Sequence, residues 1–167
     1  MQLVVLGLQV LLLLLGASTS ALHIGLICPG HAGHLNPTAT LGAELARRGH
    51  TVTLISTPPG STTAAKNGLN FQPIGILEYK SGALRVDLEQ EGRLRGLFAF
   101  WHTLRLFQRE EKILLRDLPG ILKTIDAVCA DQLLPAAMDI AEVHGMPAAV
   151  LCNALPLNLD PAVPPFV

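Results

Sequence analysis

Apolar residues fall along this chain in short unbroken runs, separated by stretches whose apolar positions recur at helical spacing. The first run, His23-Ile-Gly-Leu-Ile-Cys28, reads as a strand apolar on both faces. It passes into a glycine-rich bend, Pro29-Gly-His-Ala-Gly33-His34-Leu-Asn-Pro37. Asn36 suits an N-cap and Pro37 the first helical position, which predicts a helix from Pro37 through Leu41, Leu45 and Ala46 to Gly49. A second strand follows at Thr51–Ser56, then the bend Thr57-Pro-Pro-Gly60, a short helix over Ser61–Asn67 stopped by Gly68, and a third strand at Asn70–Ile74.

Residues Ile76–Leu94 lack a clear period, carry much local charge and read as a surface loop. Helical spacing returns over Leu94–Leu118, and Pro119-Gly120 is expected to break it. A fourth strand, Asp126–Ala130, delivers Asp131 at its carboxyl end; a helix over Leu134–His144 then leads to a fifth strand, Ala148–Cys152.

Strands alternating with helices predict an α/β fold, a single Rossmann-like doubly wound parallel sheet with right-handed crossovers. The order assumed for the sheet is the doubly wound 3-2-1-4-5. It makes strands one and four neighbours at the switch point, where ligands bind beyond the carboxyl ends of strands. At 167 residues, half of them hydrophobic, the chain suffices for one domain with a core and not for two.

Residues 1–21 stand apart. Leu3–Leu15 is almost wholly apolar and ends in Gly16-Ala-Ser-Thr-Ser-Ala21, small residues of the kind a signal peptidase accepts. The run falls short of the roughly 20 apolar residues of a membrane span, and no Lys or Arg precedes it. A cleaved signal, an anchor giving membrane association through residues 3–15, and a start site placed too far upstream all remain open. The first two imply a secretory or membrane-associated domain, the third a cytoplasmic one. Residues 22–167 form the expected folded domain.

A net charge of −1 and the absence of a basic run interleaved with aromatics speak against nucleic acid. Cys28, Cys129 and Cys152 are odd in number, lack CxxC spacing and lie in or beside apolar strands, which predicts buried free thiols rather than a disulfide framework. The histidines show no HxxxH or HExxH spacing, so no metal site is expected.

With that strand order, His34 and Asp131 project into one crevice despite their separation in sequence. A carboxylate accepting from one imidazole nitrogen fixes the tautomer and leaves the other nitrogen free to take a proton from a hydroxyl. His31 shares the loop with Gly30 and Gly33; it is an alternative base or a residue that shapes the loop. Asp131 has an alternative too, as N-cap of the following helix. Phe98, Phe100, Trp101 and Phe107 cluster in the long helix, either as core against the sheet or as the lining of an apolar acceptor pocket. The glycine loop has neither GxGxxG nor GxxxxGK[ST], and strand two ends in Ser56 rather than an acid, which disfavours NAD and simple nucleotide-triphosphate chemistry.

Gly33-His34-Leu35-Asn36-Pro37 and Arg48-Gly49-His50-Thr51-Val52-Thr53 resemble the opening GHxxP and RGHxVT signatures of UDP-glycosyltransferases of the GT-B fold. Ala130-Asp131-Gln132 and Gly145-Met146-Pro147 resemble that family's acid-bearing strand and the turn after the next helix. The stretch Asn153–Asn158 with Pro161–Phe166 is similar to bacterial enzymes related to zeaxanthin glucosyltransferase. The resemblance covers residues 23–167.

It implies metal-free, cofactor-free transfer of a sugar from a UDP-sugar, with inversion, to a hydroxyl of a small lipophilic acceptor. His34 would be the base and Asp131 its partner, with Phe98, Trp101 and Asn153 on the acceptor side and Gly30, His31 and Gly33 in the loop. The donor-binding half of such enzymes has no counterpart before Val167, so the chain is expected to be an acceptor-side fragment, inactive alone. The alternative is a non-catalytic, membrane-anchored acceptor-side subunit that recruits a separate donor-binding chain.

Overall fold

A computed structural model of the chain describes residues 20–80 and 82–153. The apolar leader, Leu3–Leu15, and the segment after Asn153 lie outside the described residues. Among those described, no helix is long and apolar enough to cross a membrane.

Five strands, β1 (His23–Ile27), β2 (Thr51–Ser56), β3 (Asn70–Pro73), β4 (Ala127–Asp131) and β5 (Ala148–Leu151), form one parallel sheet. Their order is β3-β2-β1-β4-β5, the doubly wound arrangement assumed in placing His34 and Asp131 together. In register, Ile24 faces Val52 on one side and Ala127 on the other, and Ile27 faces Ile55 and Ala130. The carboxyl ends of β1 and β4 therefore open side by side.

Successive side chains of a strand point to opposite faces, so each unbroken apolar run feeds two cores. Ile24, Leu26, Cys28, Val52 and Leu54 pack on one face with Leu35, Ala39, Ala64 and Leu69. Ile27, Ile55, Val128 and Ala130 pack on the other with Ile113, Leu114, Leu118 and Ile140. The helices are α1 (Ala32–Arg47), α2 (Gly60–Lys66), α3 (Ala83–Arg93), α4 (Gly96–Ile121, prolonged by a 3-10 turn at Leu122–Thr124) and α5 (Pro135–Val143). Gly42 lets α1 lie close on the sheet: a Cβ there would sit 2.8 Å from Leu69 Cδ1 and 2.9 Å from Leu26 Cδ1.

Three elements differ from expectation. Helix α1 starts at Ala32, not Pro37, because the amides of His34 and Leu35 bond back to the His31 carbonyl at 3.0 and 2.9 Å. Pro37 lies inside the helix about one turn from its start, where the missing N–H forfeits a single helical bond. His34 is thus held on a helix rather than in a loop.

Residues 83–93 form α3 instead of a loop. The run is rich in Ala, Leu, Arg, Glu and Gln, all good helix formers, but only Ala83 and Leu84 lean on the core, so the apolar period is faint. Helix α4 continues through Pro119, which gives up one helical bond while the buried Leu118 and Leu122 on either side hold the turn against the core.

The four aromatic residues of α4 do not form core. Phe98 is 79% exposed, Trp101 61%, Phe100 57% and Phe107 38%; the buried part of this helix is its carboxyl half, at Ile113, Leu114 and Leu118. Cysteine burial also differs along the chain: Cys28 is buried, Cys129 half-buried and Cys152 exposed, and all three are free thiols.

Candidate functional site

The end of β1 turns through Pro29 and Gly30 into α1, whose first turn carries His34. The end of β4 carries Asp131, which is 1% exposed. Nδ1 of His34 lies 2.6 Å from Oδ2 of Asp131. An ionised carboxylate has only acceptors, so the contact is one that an Nδ1–H of His34 donates, and in the neutral ring Nε2 then carries the lone pair. The side chain of His34 keeps 19% of its surface exposed while that of Asp131 keeps none.

Asp131 is held from three directions. Oδ1 accepts the Leu133 amide at 3.0 Å, and Oδ2 also accepts Nδ2 of Asn153 at 2.8 Å. Asn153 stands just beyond β5, and the same Nδ2 lies 3.1 Å from Oγ1 of the buried Thr38, one helical turn after His34. Asp131 does not act as N-cap of α5. That cap is Leu134, with no side-chain bond, and the Ala136 amide finds Oε2 of Glu111 on α4 at 3.2 Å instead. The Cys28 thiol, beside Thr38 and Asp131, is pushed up to about 12, chiefly by burial.

His34 opens on a cavity of about 270 Å³ whose apolar lining includes Leu84, Leu106, Phe107, Leu133 and Leu134. Polar groups close the opposite wall. Arg109 Nη2 donates to Asp87 Oδ2 at 2.5 Å and to the Tyr79 hydroxyl at 3.0 Å, and Tyr79 in turn donates to Glu110. The Arg109 guanidinium also lies 4.7 Å from the centre of the Tyr79 ring. Burial raises the Tyr79 and Glu110 pKa values. His31 lines the same cavity; burial holds its imidazole below the usual histidine range, with the nearby His34 acting in the same sense and Glu91 and Asp87 opposing.

His34, Asp131 and Asn153 are therefore brought together, with His31 at the cavity rim. Phe98 and Trp101 are not: they border a separate, open groove with Gln90, Leu94, His102 and Arg105. Gly30 is required at the bend, since a Cβ there would collide with Thr57 Oγ1, whereas Gly33 has open space around it. Tyr79, Asp87, Arg109 and Glu110 escape sequence reasoning. They meet only where the turn after β3, which carries Tyr79, and α3, which carries Asp87, pack against Arg109 and Glu110 of α4, and no local spacing announces them. Among the described residues, no three His, Cys, Asp or Glu side chains gather as a metal site.

A five-stranded parallel sheet in this order, with its crevice at the β1/β4 switch point, is the architecture of one half of a GT-B glycosyltransferase. The calicheamicin glycosyltransferase CalG4 superposes with a TM-score of 0.63 at 24% identity, over 79% of this chain and 32% of that one. The glycotransferase of kitacinnamycin superposes at 0.61 and 22% identity, over 81% and 31%.

Residues 24–150 match the Glycosyltransferase family 28 N-terminal domain, and the chain belongs to that family. It is 29% identical over 144 residues to zeaxanthin glucosyltransferase of Pantoea ananas, covering 85% of this chain and 33% of the relative. The Pseudescherichia vulneris enzyme of the same name is 28% identical over 145 residues, with the same coverage. The chain thus spans about a third of the length of these relatives and corresponds to their amino-terminal part.

Proposed function

We propose that this chain is the acceptor-side half of an inverting glycosyltransferase that moves a sugar from a UDP-sugar to a hydroxyl of a small lipophilic acceptor. The observation that carries this reading is the 2.6 Å contact between His34 Nδ1 and the buried Asp131, at the mouth of a largely apolar cavity.

In the proposed step an acceptor hydroxyl lies in the cavity against Nε2 of His34. As its oxygen bonds to the anomeric carbon, the bond from that carbon to the diphosphate oxygen breaks, UDP leaves with the electron pair, and the hydroxyl proton passes to Nε2. The resulting imidazolium is stabilised by Asp131, whose charge is buried and already oriented. General-base help of this kind is worth about 10²–10⁴ in rate. Leu84, Leu106 and Phe107 supply apolar contact for the body of the acceptor.

Positioning the donor is worth several kcal/mol of barrier, about 7–11 in well-oriented cases. The 167 residues expressed alone are therefore expected to give little or no transfer. Joined to the donor-binding half of a zeaxanthin glucosyltransferase, they are expected to convert UDP-glucose and a lipophilic alcohol to the glycoside, detected by mass spectrometry. A well-folded fusion that transfers sugar to no hydroxylated acceptor would overturn the proposal.

A further inference from the structure

We propose that Asn153 is a positioning residue for the His34–Asp131 pair rather than a contact for the acceptor; this rests on the reading of His34 as base. The sequence resemblance puts Asn153 on the acceptor side, yet its amide nitrogen is turned inward. It lies 2.8 Å from Asp131 Oδ2, the same oxygen that His34 Nδ1 approaches at 2.6 Å, and 3.1 Å from Thr38 Oγ1.

The geometry gives this contact a definite consequence. Oδ2 receives two donors in fixed directions while Oδ1 is taken by the Leu133 amide, so the carboxylate cannot rotate without breaking at least one bond. Donation from Asn153 also stabilises the ionised form of a carboxylate that has no exposed surface. An ionised, non-rotating Asp131 is what keeps the proton of His34 on Nδ1 and its Nε2 lone pair directed at the cavity. Thr38 and His34 sit one turn apart on α1, so Asn153 ties the end of β5 to the helix that carries the base as well as to the acid.

The test is nuclear magnetic resonance of the chain labelled with ¹⁵N at histidine and asparagine. The expected result is a single Nδ1–H tautomer of His34 with a slowly exchanging ring proton. Asn153→Ala removes one charge-assisted bond, and the ring proton is then expected to exchange about tenfold faster or more. Asn153→Asp keeps the shape but replaces the donor with an acceptor, setting a second carboxylate beside Asp131; a proton is then shared between the two acids or taken up by His34, and the ring ¹⁵N shifts of His34 are expected to move away from those of the unaltered chain.

A role in packing alone predicts that Asn153→Asp is silent. Unchanged ring shifts and exchange in both variants, with the backbone spectrum intact, overturn the proposal. Should both variants fail to fold, the unaltered chain still decides: the Asn153 side-chain amide is expected to be protected from exchange and close to the Thr38 methyl and the Asp131 methylene, and a free, rapidly exchanging amide refutes the assignment. None of these readouts uses turnover, so a failure of the general-base reading would leave them unchanged and show up only in rate.

Discussion

Gly30 lies at the bend that aims β1 into the helix carrying His34, and its substitution tests whether that bend is held by packing. A Cβ at Gly30 would overlap Thr57 Oγ1 and approach Leu84 Cδ2 to 3.3 Å. Thr57 is 1% exposed, so neither its side chain nor the bend can swing into solvent. Overpacking of this kind costs about 1–3 kcal/mol, so Gly30→Ala is expected to lower the denaturation temperature by roughly 2–12 °C in a domain of this size.

Among the described residues Thr57 Oγ1 has no hydrogen-bond partner, so Thr57→Ala gives up none of the bonds described and loses a buried methyl and hydroxyl, about 1 kcal/mol. With Oγ1 gone, the nearest neighbours of the new Cβ are Leu84 Cδ2 at 3.3 Å and the Thr57 Cβ position at 3.4 Å, both tolerable. The double variant should therefore be more stable than the sum of the single effects by about 1–2 kcal/mol, measured by urea unfolding in a double-mutant cycle. Additive effects within about 0.5 kcal/mol would refute the argument that Thr57 is what excludes a side chain at Gly30.

Leu54, fully buried at the centre of the sheet, should cost about 2–5 kcal/mol when cut to alanine, read as a lower urea midpoint with an unchanged slope. Thiol reagents should label Cys152 in the native protein and leave Cys28 unreacted until it unfolds, followed by mass spectrometry. Because Cys28 is raised from 9.0 to about 12, the native state keeps a proton that the unfolded chain loses. Its contribution to stability is therefore complete below about pH 9 and falls by about 1.4 kcal/mol per pH unit toward pH 12. Cys28→Ala should remove that part of the alkaline slope, and an unchanged slope would contradict the assignment.

The site was legible in the sequence where it depends on strand order. His34 and Asp131 sit at the ends of two strand-like runs far apart in sequence; alternation of elements predicts the parallel sheet, and their convergence follows once the doubly wound order is assumed. What was not legible depends on packing between helices. The start of α1 was hidden because Asn36-Pro37 is a good helix-opening signal and the weaker one at His31 prevailed. Helix α3 was hidden because it buries almost nothing, leaving charge as its dominant feature. Residue type leaves Phe98 and Trp101 open between core and acceptor contact; the direction of α4 excludes the core and sets them on a groove separate from the His34 cavity. Asn153 stands out by its place in a motif, but its approach to Asp131 is set by the pairing of β4 with β5 and its approach to Thr38 by the packing of α1 beside the sheet.

The most direct test of the account is the rate of sugar transfer by the two-domain fusion with His34 changed to alanine, at saturating UDP-sugar. A fall of about 10²–10⁴ is expected, part of it restored by added imidazole, with binding of the acceptor little changed. A His34→Ala protein that transfers within about twofold of the unaltered rate would contradict it.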